Sequence, residues 1–293
     1  MAVLRAMACA GLHRWLLPVL HHQGCKVTSD PPLPDVSRHH TGVLLGSPEH
    51  RVRRAIASYQ TAHGWEVAKI AFGEEGAKVL EKEARILEEL GQLTAGVPRL
   101  LGLHRGDGLT VLRMPYLTGT PVSPDESDEA LDLLDRWITD LPLAPVTSFP
   151  EWPAIKSALG QVEHRGRVLK ELARQELRPV ICHGDFARWN LLKQADGKLL
   201  VLDWEWGHSH GMPGIDLVHY FLQDARLVER LAPVDAIAKT CGLLNSPGCA
   251  AYLHKAGWSG NALLPIIASL AWKQGAGHQE NAEVLEAAVS VFQ

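Results

Sequence analysis

A dominant charge of either sign is missing from this sequence: 33 acidic and 29 basic residues leave a formal net charge of only -4. Without a basic field, nucleic acid is not the expected partner. Wholesale disorder is excluded as well, because 46% of the residues are hydrophobic and 21% charged, enough apolar surface to build a core. Cysteine is sparse. The five, at positions 9, 25, 182, 241 and 249, are odd in number and form no CxxC pair. That scatter favours reduced thiols in a cytoplasmic protein over a disulfide framework or a zinc site. Uninterrupted hydrophobic runs are missing too. The stretch from Met1 to Leu20 is interrupted at Arg5 and His13-Arg14, which suits neither a membrane span nor a clean secretory core with its cleavage site. No stable membrane insertion is expected. Residues 1–41, with Pro31, Pro32 and Pro34 near their end, read as an N-terminal arm and linker. Nothing in the sequence sets an oligomeric state.

What is present is concentrated in His183-Gly184-Asp185-Phe186-Ala187-Arg188-Trp189-Asn190, followed shortly by Leu202-Asp203-Trp204-Glu205. Apolar Val180-Ile181-Cys182 precedes the first group; Leu191-Leu192, an Asp196-Gly197 turn and the apolar run to Leu202 follow it. The order is strand, polar loop, hairpin, then a strand ending on an acid. Two carboxylates and a carboxamide are thereby delivered to the ends of short strands. Asp185 can accept a proton from a hydroxyl, and Asn190 and Asp203 offer oxygen ligands to a hard cation such as magnesium. On these residues alone a metal hydrolase stays open beside phosphoryl transfer.

HGDxxxxN followed by DWE resembles the aminoglycoside phosphotransferase and choline kinase superfamily, distant relatives of the protein kinases. The resemblance implies an α+β, two-lobed, protein-kinase-like fold with a small antiparallel-sheet N-lobe over residues 42–117 and a mainly helical C-lobe over residues 118–293. It implies ATP and Mg2+ as cofactors and a small-molecule hydroxyl as acceptor. It further implies Asp185 as catalytic base, with Asn190 and Asp203 as metal ligands. The alternative is a nucleotide-binding pseudokinase or scaffold, motivated by a departure from the family pattern. Gly46-Ser47, where a nucleotide-covering hairpin is expected, is not a GxGxxG loop, and Pro48 removes one amide.

Strands are expected over residues 42–45, 52–57 and 65–71, the last carrying Lys69. A helix is expected over 76–90, with Val79, Leu80, Ile86, Leu87 and Leu90 inward. Glu83 shares that stripe, and a carboxylate there is costly unless paired. Lys69 is its expected partner, resembling the kinase lysine–glutamate pair that positions nucleotide phosphates. Strands at 100–104 and 109–114 follow. The exit through Arg113 to Tyr116 resembles the crossing where backbone groups meet an adenine ring.

In the second half, Ser123 is a candidate cap for a helix with Leu131, Leu134, Trp137 and Ile138 on one face, ending near Pro142. The acidic run 125–129 reads as a solvated helix start or a cationic-substrate site. A helix over 162–177, with Leu169, Leu172 and Ala173 inward, leads into Val180. His183 reads as structural, and Arg188 either contacts transferred phosphate or pairs with a nearby acid. On a continued strand Asp203 and Glu205 would share a face. His208 and His210 do not fix a zinc set with His183. Asp216 is expected to cap the following helix and brace the catalytic loop. Further helices are expected around 227–238, where Pro233 is a candidate break, and over 262–272 and 282–291. Loops are expected at 242–248 and 257–260.

Overall fold

The computed structural model describes residues 40–45, 54–91, 94–106, 108–160, 165–277 and 282–292. The chain divides into two compact units. One holds the described residues up to Val122 together with Trp189–Glu205; the other holds Ser123–Arg188 and the chain from Trp206 onward.

The first unit is built on a five-stranded antiparallel sheet: β1 (His40–Leu45), β2 (Arg54–Thr61), β3 (Gly64–Phe72), β4 (Gly102–Gly106) and β5 (Leu109–Pro115), in the order β1-β2-β3-β5-β4. Along β2, Ala55, Ala57 and Tyr59 are buried while Ile56 and Gln60 are exposed, the period of two expected when one face is covered. Tyr59, Ala68 and Val111 form an apolar cluster with Ile70 beside it. On the opposite face of β3, Lys69 and Ala71 are buried. Helix α1 (Gly73–Leu90) packs against β3 and β5. It buries Ala77, Leu80, Ala84 and Leu87, a 3–4 spacing that keeps them on one side. Glu74 and Glu75 occupy its first turn, where carboxylates suit the helix dipole. The expected start at Gly76 is thus three residues late. Val79 and Ile86, expected inward, are only half-buried, because the stripe is centred on Leu80 and Leu87. Strands β2 and β4 likewise run to Thr61 and Gly106, past the expected ends.

The same unit contains an antiparallel hairpin of Leu191–Lys193 and Leu199–Val201, joined on its outer side by Thr120–Pro121. Its turn is the expected one. Gly197 adopts φ +83°, and the Asp196 carboxylate accepts the Lys198 amide at 3.1 Å, a local bond typical of Asp in turns.

The second unit is mainly helical: α2 (Ser127–Arg136), α3 (Trp152–Leu159), α4 (Arg165–Ala173), α5 (Ile215–Gln223), α6 (Pro233–Leu244), α7 (Pro247–Lys255), α8 (Leu263–Gly275) and α9 (Ala282–Phe292). Val180–Cys182 pairs with His208–Gly211. Every residue of α8 from Leu263 to Lys273 is buried, which marks it as the central helix. It packs on α3, α5 and α9. A Cβ at Gly275 would come within 2.2 Å of the Ala154 carbonyl, so glycine permits the close α3–α8 approach. Among the described residues no helix is long and apolar enough to cross a membrane.

Several expected boundaries fail here for local reasons. Ser123 does form a capping box with Glu126, but it opens a single 3-10 turn before α2. That helix stops at Arg136 because Ile138 leaves it to bridge Val180. Its buried face is Ala130, Leu133 and Leu134. Helix α4 ends at Ala173, with Val168 and Leu172 buried and Ala173 exposed, since Glu176–Leu177 pairs with Ala144–Pro145. Pro233 does not split a helix; it begins α6 at a position where its missing N–H costs nothing. The expected loop at 242–248 is mostly helical, because α6 continues through Gly242 and Pro247 starts α7.

Candidate active site

Two clusters of buried charge hold several of the residues singled out in the sequence, one in each unit. In the first, Lys69 projects from the central strand β3 and donates to Glu83 Oε1 at 2.5 Å and to Asp203 Oδ1 at 2.8 Å. The Glu83 side chain is 0% exposed, and its Oε1 also accepts the Trp204 amide at 3.2 Å. A buried carboxylate on an apolar helix face is stable only with such partners. Burial works against the charge on Lys69, but the carboxylates of Asp203 and Glu83 outweigh it and hold the ammonium above its usual range. Burial pushes the Glu83 carboxyl up, against the pull of Lys69.

Asp203 reaches this position through its backbone. It adopts φ +71°, a left-handed conformation that Asp tolerates better than most residues. The chain then makes a 3-10 turn over Trp204–Trp206. The condition under which Asp203 and Glu205 would share a face, a continued strand, is therefore not met: the strand ends at Val201. Across the hairpin the Leu202 amide donates to the Asn190 carbonyl at 2.8 Å, so Asn190 and Asp203 lie at adjoining ends of paired strands. Their hard oxygen donors, one amide and one carboxylate, suit magnesium, which takes few protein ligands and completes its shell with water and phosphate. Among the described residues no group of three or more His, Cys, Asp or Glu is arranged to hold a metal.

The second cluster surrounds Asp185. The loop that carries it is pinned by Asp216, whose carboxylate accepts the His183 amide at 2.6 Å and the Gly184 amide at 2.8 Å. Asp216 thus braces the loop as expected but does not cap α5; Gly214 occupies that cap position, with no side-chain bond. Gly184 sits at φ +78°, and a Cβ there would lie 2.7 Å from the Trp206 Cβ and 2.8 Å from the Trp272 ring. Conformation and space both require glycine. The His183 ring is fully buried, and its Nδ1 accepts the Asp185 amide at 3.2 Å, in keeping with its expected structural part.

Sequence reasoning missed two further groups on Asp185 Oδ1: His219 Nε2 at 3.0 Å and Lys273 Nζ at 3.4 Å. Burial alone would raise the Asp185 carboxyl, but the His219 hydrogen bond and the Lys273 charge prevail and hold it well below the usual carboxylate range. A signal for both was available. His219 lies three residues after Asp216 on the otherwise mostly apolar α5, and Lys273 is the one charged residue in the apolar run of α8.

The remaining expected site residues fall as follows. Gly46 and Ser47 lie outside the described residues. Arg113 Nε lies 3.4 Å from Glu66 Oε2, and the Tyr116 amide donates to the Trp65 carbonyl at 2.8 Å. Arg188 Nε lies 3.2 and 3.0 Å from the two Asp224 oxygens, the acid pairing that is one of its two expected roles.

The model of the Phosphotransferase enzyme family matches residues 131–236, the stretch that includes both acidic motifs. No curated protein sequence matches the chain. Solved structures do. An aminoglycoside phosphotransferase from Streptomyces rimosus is 15% identical, with 93% of this chain and 98% of that one covered at a TM-score of 0.50. A choline kinase from Streptococcus pneumoniae is 16% identical over 87% of this chain and 95% of that one, at 0.51. An ethanolamine kinase from Plasmodium vivax is 10% identical over 96% of this chain and 87% of that one, at 0.52. Such identities speak for the fold, while the family match falls on the motif-bearing segment. Residues 131–236 are thus similar to the Phosphotransferase enzyme family, and the chain has the protein-kinase-like α+β fold of these solved structures, with an antiparallel sheet in one unit and mainly helices in the other.

Proposed function

We propose that this protein is an ATP-dependent phosphotransferase that phosphorylates a hydroxyl of a small molecule such as a sugar, an aminoglycoside or an amino alcohol. The observation that carries the reading is the Lys69 ammonium held by Glu83 from α1 and by Asp203 from the end of the hairpin. Two carboxylates, 14 and 134 residues away in sequence, converge on one ammonium, as phosphate positioning requires. In this reading Lys69, oriented by Glu83, meets the nucleotide phosphates. Asn190 and Asp203 hold Mg2+, which when bound neutralises charge on those phosphates. Asp185 orients the acceptor hydroxyl and takes its proton late, as charge moves onto the transferring phosphoryl group. Arg188 is assigned contact with the transferred phosphate while Nε stays on Asp224, which fixes the guanidinium plane. Arg113 and Tyr116 are assigned to the nucleotide through groups other than the Tyr116 amide, which the sheet already uses. Cys182, Cys241 and Cys249 are free thiols, which supports a cytoplasmic setting.

A pseudokinase reading draws on Gly46-Ser47-Pro48, which lacks the glycine pattern of a phosphate-covering loop. An ATP-consumption screen with magnesium over sugars, aminoglycosides, amino alcohols and nucleosides, with product masses recorded, separates the two. A product heavier by one phosphoryl group supports the kinase. Nucleotide binding with no phosphorylated product across the panel supports the pseudokinase.

A further inference from the structure

We propose that Lys273 and His219 are positioning residues for Asp185, two donors from different helices that meet on one carboxylate oxygen and fix its charge and its rotation. The inference rests on the phosphotransferase reading for its consequence, but the arrangement itself is geometric. A carboxylate oxygen can only accept, so both His219 Nε2, at 3.0 Å, and Lys273 Nζ, at 3.4 Å, donate to Oδ1. Two bonds from separate directions hold the carboxylate against turning about its Cβ–Cγ bond.

Packing alone does not explain the lysine. Its side chain is 4% exposed, in a helix whose neighbouring positions are filled by Leu, Ile, Ala and Trp. Burying an ammonium there is costly unless a specific partner compensates it. Asp185 is that partner, and the ammonium is steadied further by the indoles of Trp206 and Trp272, whose ring centres lie 5.8 and 5.3 Å away. The same two residues, whose rings lie perpendicular to each other at 6.4 Å, exclude a Cβ at Gly184 through the Cβ and carbonyl of Trp206 and the ring of Trp272. One aromatic pair therefore sets both the loop backbone and the cation that faces its carboxylate.

His219 has a parallel placement. It is 6% exposed on α5, three residues after Asp216, so one helix face delivers Asp216 to the loop amides and His219 to the loop carboxylate. The charged and titratable groups facing Asp185 are then His219 from α5, Lys273 from α8 and His183 from its own loop, with Asp216 behind on the amides. The donors outnumber the acids directly on Asp185. The carboxylate is kept ionised and aimed before any acceptor binds, which is what a base that accepts its proton late requires.

The test is a titration of the Asp185 side-chain carboxyl by 13C NMR on aspartate-labelled full-length protein, with the resonance assigned by Asp185→Asn. It needs no acceptor. Lys273→Met, similar in length and apolar, is expected to raise the midpoint by about one pH unit or more, the effect of losing a cation within contact range. Lys273→Arg should restore it to within a few tenths, and His219→Gln should raise it by a smaller amount. If the phosphotransferase reading holds, Lys273→Met also lowers kcat roughly 10-fold, with the KM for ATP unchanged and the acid limb of the pH–rate profile moved upward. An unmoved midpoint in Lys273→Met overturns the proposal and leaves a core-filling lysine. Should that variant fail to fold, His219→Gln decides, and an unmoved midpoint there overturns it equally. Absence of any phosphorylated acceptor from the wild-type protein would count against the activity, while the titration would still decide the positioning.

Discussion

The two charged clusters are inversions of each other. Around Lys69 one ammonium is shared by two carboxylates; around Asp185 one carboxylate oxygen is shared by an ammonium and an imidazole. The first therefore has an excess of negative charge and suits the addition of a cation and its polyphosphate. The second has its carboxylate charge matched, so Asp185 stays ionised well into the acid range. Both sit in mainly apolar surroundings, where Coulomb terms are large and an unmatched group is expensive. Each unit thus carries the charge ratio that its proposed part of the reaction requires.

The largest expected effect follows from removing the second acid of the Lys69 cluster. Asp203→Ala should abolish magnesium-dependent nucleotide binding or turnover while Lys69 keeps Glu83. An unchanged rate and magnesium dependence in a folded variant would take Asp203 out of the metal shell and remove the functional half of the contrast. Next in size is Lys69→Met. It leaves Glu83 buried without its cation and should cost about 3 kcal/mol in chemical denaturation. Adding Glu83→Leu should recover much of that loss, because the buried charge is gone with its partner. Strictly additive losses would show that the two do not act as a pair.

The Asp185 cluster makes a pH-dependent prediction. A carboxyl held below its unfolded value of about 3.9 adds stability above that pH and loses it as pH falls through the depressed folded value. The difference in stability between wild type and Lys273→Met, measured by chemical denaturation at a series of pH values, should therefore be widest near neutrality. It should narrow by ~1 kcal/mol or more as the pH is lowered toward 3. A difference independent of pH would break the linkage. The smallest effect belongs to Arg188→Ala. Its pair with Asp224 is partly exposed, at 20% and 19%, so stability should change by only about 1 kcal/mol; any large fall in kcat beyond that would sharpen its assignment to phosphate.

These clusters were legible in the sequence to different degrees, and the difference has a physical cause. Lys69–Glu83 could be inferred because an acid on an apolar helix stripe demands a cation, a rule that acts within one element. Asp185, Asn190 and Asp203 stood out as polar residues at strand ends. The link of Asp185 to His219 and Lys273 could not be read, since these lie 34 and 88 residues away and periodicity says nothing of tertiary distance. Each was still visible as a polar residue in an apolar helix. The turn at Asp203 was missed because strand alternation assumes extended backbone, whereas φ there is +71°. Helix ends were misjudged where a tertiary pairing interrupted the pattern, as at Ile138, and where proline was taken as a breaker instead of a first residue, as at Pro233.

The most direct test of the central claim is Asp185→Asn, measured for nucleotide affinity and for acceptor-dependent ADP release in the same folded preparation. The substitution keeps size and most hydrogen-bond geometry but removes the charge. The account predicts nucleotide affinity within a few-fold of wild type and phosphate transfer reduced by roughly 100-fold or more. Transfer at a near-normal rate would contradict it.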